Sequence, residues 1–271
     1  MIRTALHIAF FLAVVTTVTA QCPIDKKVFR AGETATYKAY YNWGFVWLEA
    51  ANVNFNVELS ADKRFYNLTS IGQSLPKYDW FYKVRDTFRS RVDTAHLLPY
   101  FYLRKTSEGG YKVDNSYRFS YSNNKLYTRV SSSDSELQRD TFDLKPCTFD
   151  VLSAVYYTRS IDFSNRQIDE KIPLSFIIDN EFHDLYLRYL GKEHITTRAG
   201  EEFRCIKFSI LLVEGTVFEG GEDMTVWVTD DANHIPVLVE AKILVGSVKA
   251  YLINIKNNKY PVKAIVGNTS R

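Results

Sequence analysis

ATYKAYYNWGFVWLEAANVNFNVELS, Ala35 to Ser60, is the stretch whose reading decides the fold. In its second half Ala51, Val53, Phe55, Val57 and Leu59 alternate with Asn52, Asn54, Asn56, Glu58 and Ser60. A period of two gives a strand one dry face and one wet face. A helix, at 3.6 residues per turn, would scatter the same residues around its circumference. The first half repeats the rhythm, with Ala35, Tyr37, Ala39, Tyr41 and Trp43 against Thr36, Lys38, Tyr40 and Asn42. The pair predicts a hairpin that begins a large antiparallel sheet.

Outward from this hairpin the pattern continues to the end of the chain. Tyr78, Trp80, Tyr82 and Val84 oppose Phe81, Lys83 and Arg85, and the second phase runs on to Arg89 and Arg91, so a strand is expected over 78–91. Glu108-Gly109-Gly110 and Asn123-Asn124 are turn signals, and Ser131 to Asp134 is a polar loop. Ile172, Leu174, Phe176 and Ile178, then Ile206, Phe208, Ile210 and Leu212, keep single faces. One helix is predicted, near 150–159, where Leu152, Val155 and Tyr156 fall at helical spacing behind a capping Thr148 or Asp150. The fold class is therefore all-β: a large antiparallel meander sheet curled into a half-barrel, a barrel or a sandwich. Residues 21–271 read as a single all-β domain, with two β halves divided near 145–165 as the alternative.

At 271 residues and 46% hydrophobic the chain can bury a sizeable core, and eighteen Tyr with eighteen Phe suit sheets and binding surfaces. A formal charge of +3 without a polybasic run calls for no nucleic acid. At the N-terminus, Arg3, the apolar run Ala5 to Val15 and Val18-Thr19-Ala20 compose a signal peptide over 1–20. No later apolar stretch is long enough to span a bilayer, so the expectation is a mature chain without a transmembrane segment. An exported chain meets an oxidising compartment, where Cys22, Cys147 and Cys205 allow one disulfide and one leftover thiol, with the pairing open. Cys22 also invites a lipoprotein reading, against which Gln21 stands where such signals place a small residue.

Phe29-Arg-Ala-Gly-Glu33, Leu98-Pro99 with Glu108-Gly109-Gly110, and Phe149-Asp-Val-Leu-Ser-Ala-Val-Tyr-Tyr157 occur in order along the chain. Thr197-Arg-Ala-Gly-Glu-Glu-Phe-Arg-Cys205 and Val226-Trp-Val-Thr-Asp-Asp-Ala-Asn-His-Ile-Pro-Val237 follow, and then Gly246. Together they resemble a domain-of-unknown-function family, number 3108, of exported bacterial proteins. The resemblance implies a β-rich protein of the periplasm or cell surface of a Gram-negative bacterium, and it carries no catalytic residues to transfer. Leu48-Glu49-Ala50 departs from the glycine the family tends to place before its second strand.

The leading functional candidate is the basic-aromatic group Trp80, Phe81, Tyr82, Lys83, Arg85, Arg89 and Arg91, which could hold an anionic headgroup against apolar rings. The bland alternative is a solvated outer sheet face. Asp230, Asp231, Asn233 and His234 could bind calcium or perform acid–base work, yet Asp and Asn are also the default turn residues. No catalytic or metal-binding motif and no cofactor signature is present. The expected function is a non-enzymatic envelope protein that binds a hydrophobic or amphipathic ligand, such as a lipid or glycolipid, in a curved sheet. A carbohydrate-active enzyme or glycan-binding module is the rival, and a scaffold that meets envelope proteins through an open sheet edge is the third reading.

Overall fold

Ala35–Ser60 folds as two paired strands, β1 (Thr34–Trp43) and β2 (Val46–Leu59), with Ala35 opposite Phe55 and Tyr37 opposite Val53. The computed structural model of the protein describes residues 22, 24, 26–43, 46–212, 221–243 and 246–268; the signal peptide expected over 1–20 lies outside them. The chain continues through β3 (Phe65–Ser74), a 3-10 turn (Pro76–Tyr78), β4 (Arg85–Asp93), β5 (Pro99–Glu108) and β6 (Tyr111–Ser120). Next come β7 (Lys125–Ser132), β8 (Ser135–Asp143), the short β9 (Thr148–Phe149) and the helix α1 (Val151–Arg159). The second half comprises β10 (Lys171–Ile178), β11 (Glu181–Thr196), β12 (Glu201–Leu212), β13 (Gly221–Thr229), β14 (Pro236–Lys242), β15 (Ser247–Lys256) and β16 (Ile265–Asn268).

The strands form one continuous sheet in the order β8-β7-β6-β5-β4-β3-β2-β1-β15-β14-β13-β12-β11-β10-β9, with β16 added to β12. Neighbours pair antiparallel except β9 on β10. This is the predicted meander, curled and not closed into a barrel. Its two ends meet through side chains instead of a backbone ladder. The Asn180 amide donates to Asp140 at 2.7 Å, Asn115 donates to Asp179 at 2.6 Å, and the rings of Phe142 and Phe182 touch edge to face at 5.8 Å.

The helix occupies the inside of the curl. Asp150 caps it by accepting from the backbone N–H of Leu152 and Ser153 at 2.9 and 2.8 Å, and the Ser153 hydroxyl accepts from the Asp150 N–H. Ser90, from β4, donates to the other carboxylate oxygen at 2.7 Å, which ties the cap to the sheet. Leu152 and Tyr156 pack with Phe29, Leu68, Val92, Tyr102 and Tyr117 on one side. Ala154 and Tyr157 pack with Phe163, Leu174, Phe176, Leu187 and Phe208 on the other. The concavity that a curled sheet could offer to an apolar ligand is here filled by the protein's own residues.

The end of the helix is fixed by a buried ion pair. Arg159 donates to Glu33 at 2.6 Å, and to the carbonyls of His234 and Asn233 at 3.2 Å each. A disulfide joins Cys22 to Cys147, fastening the segment before β1 to the segment before β9, while Cys205 is a buried free thiol. Of the pairings left open by the sequence, the structure forms Cys22–Cys147.

Candidate functional site

The expected strand over 78–91 divides in two. Pro76 fixes its own φ and has no N–H to give to a sheet ladder, so the chain turns there instead. The N–H groups of Tyr78, Asp79, Phe81 and Tyr82 all donate back to carbonyls three or four residues earlier. Trp80, Phe81, Tyr82 and Lys83 therefore sit on a projecting loop, and only Arg85 onward is strand. Trp80 is 84% and Phe81 77% exposed, with their rings 5.8 Å apart.

This loop is braced from below. Arg85 forms a bidentate pair with Asp79, and its guanidinium also donates to the Ser74 hydroxyl at 3.0 Å and the Val84 carbonyl at 2.6 Å. The Arg85 guanidinium and the Ser74 hydroxyl hold the Asp79 carboxyl below the usual carboxylate range. Gly109 donates its N–H to the Lys83 carbonyl at 3.0 Å. At φ 58° it occupies the left-handed region, and a Cβ there would lie 2.5 Å from the Tyr82 ring. Tyr82 thus packs flat over a glycine, holding the base of the loop while Trp80 and Phe81 stay in solvent.

Arg89 and Arg91 lie further along β4, both exposed on the outer face of the sheet, with Ser90 and Val92 buried on the inner one. The Arg91 guanidinium covers the Phe65 ring at 4.2 Å. The sequence-predicted residues thus fall into three groups: Trp80 and Phe81 exposed at the tip, Tyr82 and Arg85 in the brace, and Arg89 and Arg91 on the adjoining face. Lys83 is exposed at the loop's end. Beside them lies a groove of about 430 Å³, lined by Arg85, Thr87, Lys105, Ser107, Lys112 and Ser131 among others. Its floor carries hydroxyls, and its one carboxylate, Asp114, pairs with Lys105 at 3.3 Å.

The Asp230–His234 cluster serves the turn. Asp231 accepts from Thr229 and from the N–H of Asn233, Lys263 and Ala264, and Asn233 bonds both ways with Tyr260. Asp230 pairs with Arg204 and Lys192 at 3.0 Å. His234 Nδ1 meets the Arg159 carbonyl at 2.7 Å, and burial lowers its pKa. The cluster fastens the C-terminal segment onto the sheet, and among the described residues no group of His, Cys, Asp and Glu side chains is arranged to hold a metal ion. No helix among the described residues is long and apolar enough to cross a membrane.

The model of a family described as a protein of unknown function, DUF3108, matches residues 36–253. No curated protein matches the chain. Among solved structures, a beta-barrel-like protein of domain of unknown function DUF1849 from Brucella abortus is similar over 86% of this chain and 100% of its own. Its TM-score is 0.56 at 8% sequence identity, a likeness of fold alone. A candidate exported protein with YmcC-like fold from Bacteroides fragilis aligns over 85% of this chain and 100% of its own, at 10% identity and a TM-score of 0.33.

Proposed function

The chain belongs to the DUF3108 family, and from that premise we infer that it is a non-enzymatic protein of the bacterial envelope that binds an anionic amphiphile, such as a lipid or glycolipid, on its outside. Trp80 and Phe81 meet the apolar part of the ligand, and Lys83, Arg89 and Arg91 meet its acidic head. Arg85, spent on Asp79, holds the loop in place.

One observation carries this reading: two large aromatic side chains stand in water on a loop that the protein braces with a bidentate ion pair and a ring packed on glycine. Exposed apolar surface that a fold goes to such lengths to position is what interaction sites present. The packed interior supports the same choice, because among the described residues side chains of the helix and of the sheet occupy the inside of the curl. Co-sedimentation of the full chain with vesicles tests it. Binding to phosphatidylcholine mixed with phosphatidylglycerol, weakened by salt, with little binding to phosphatidylcholine alone, is the expected result. Equal partition into both, or into neither, refutes it.

A further inference from the structure

The register of β4 to β8 sets two rows of side chains across the outer face. In the first, Arg91 is opposite Phe101, Phe101 opposite Arg118, and Arg118 opposite Tyr127. In the second, Arg89 is opposite Leu103, Leu103 opposite Ser116, Ser116 opposite Arg129, and Arg129 opposite Arg139. All five arginines are exposed, and among the described residues none of them has a carboxylate partner. On β4 to β8 the acids of the flanking rows are already taken, Asp93 by the backbone N–H groups of Ala95, His96 and Leu98, Asp114 by Lys105 and Asp143 by Lys125.

Two features separate this face from an ordinary solvated one. Like charges directly opposite each other in a sheet are destabilising, and Arg129 and Arg139 stand so with no acid between them. The other row alternates cation and ring in strict order. At about 5 Å per strand, Arg91 and Arg118 are roughly 10 Å apart with Phe101 between them, and the face from β4 to β8 is about 20 Å wide. Guanidinium groups pair with carboxylates or phosphates in a planar, two-pronged fashion, while the faces of sugar rings lie flat on aromatic ones.

We propose that the outer face of β4 to β8 binds an acidic oligosaccharide, its chain running across the strands, with acid groups on Arg91, Arg118, Arg129 and Arg139 and sugar rings on Phe101 and Tyr127. This rests on the reading of the loop as a site for an amphiphile and narrows it: the ligand's polar part is an acidic sugar chain, so the whole ligand is an acidic glycolipid. A bilayer is the less suitable occupant of the face itself. Phe101 and Tyr127 are only about two-fifths exposed, lying level with the sheet instead of projecting from it as Trp80 does.

The experiment measures binding of the full chain to a galacturonic-acid oligosaccharide, with a neutral glucose oligosaccharide as control, in parallel with phosphatidylglycerol vesicles. The wild type is expected to bind the acidic sugar and not the neutral one. R118Q/R129Q/R139Q should weaken that binding at least tenfold, and F101S/Y127S at least threefold with no change of charge. W80A/F81A should leave the acidic sugar bound within twofold while reducing vesicle binding. Unchanged affinity in the arginine variant overturns the proposal. Unchanged affinity in F101S/Y127S overturns it too, leaving a merely charged surface. Should the acidic sugar fail to bind while the arginine variant loses vesicle binding, a lipid surface is the occupant and the proposal falls. Sugar binding without any vesicle binding upholds the face and removes only the reading of the loop.

Discussion

Replacing Arg159 with Met removes the charge that neutralises Glu33, the carboxylate buried at 2% exposure inside the curl. The loss has a definite size. Breaking a buried pair by deleting one partner costs about 3–5 kcal/mol, because the remaining charge is left in a poor dielectric with no counter-ion. The carbonyls of His234 and Asn233 also lose their donor, although His234 and Asn233 have other bonds to hold the turn. In urea, at a slope of about 3 kcal/mol per molar, a 4 kcal/mol loss moves the unfolding midpoint down by roughly 1.3 M. Adding Glu33→Leu should recover most of it, since a buried pair exchanged for apolar residues of similar size is often neutral or better. The assay is urea unfolding followed by tryptophan emission for the wild type, R159M and E33L/R159M. A midpoint for R159M within about 0.3 M of the wild type would mean that this pair does not hold the helix in the curl.

Other outcomes follow from the same structure. Cys147→Ala opens a loop closed across 125 residues, which in the chain-entropy account costs about 5 kcal/mol, read as a lower melting temperature that added reductant no longer changes. Cys205 has no exposed surface and burial pushes its thiol up to about 12, so an aromatic disulfide reagent should titrate no thiol in the native protein and one after denaturation. Burial raises the Asp150 carboxyl to about 6 against the pull of its hydrogen bonds. Its folded value lies above its unfolded one, so its contribution is complete below about pH 4 and is lost as the pH rises through 6. Across that window the wild type should lose up to roughly 3 kcal/mol relative to D150N, measured by urea midpoints at each pH; parallel curves would contradict it. Gly109→Ala, which would press a Cβ into the Tyr82 ring, should disturb the loop and weaken vesicle binding while leaving the melting temperature within a few degrees.

What could be read from the chain before its structure was the part carried by local pattern. The alternation at Ala51–Leu59 is a property of β2 alone, and Asp150 with Ser153 forms a cap within four residues, so both are legible in a single line of sequence. The alternation around Trp80 predicts a strand that the structure does not form: Gly72 to Pro76 punctuates the sequence, and Pro76, without an N–H, begins a turn that extends past Trp80, so the chain comes back to the sheet only at Arg85. The arginine rows lay beyond sequence reading for a different reason. Arg91, Arg118 and Arg139 are far apart in the chain, and only the pairing of five successive strands brings them to one face. β8 carries no sequence signal because it is an edge strand exposed along almost its whole length, with no dry side to impose an alternation. The filling of the curl was equally hidden. Seven of the nine residues of α1 are buried, so the helix has no wet face broad enough to mark it as packed inside a sheet.

The most direct test of the account is the affinity of W80A/F81A for phosphatidylglycerol vesicles against that of the wild type. Withdrawing even half of two such rings from water, roughly 200 Å² together, is worth up to about 5 kcal/mol, so a loss of at least tenfold is predicted with the urea midpoint unchanged. Affinity equal to the wild type, or an apolar molecule found by native mass spectrometry to be held by both proteins alike, would show that the ligand goes elsewhere.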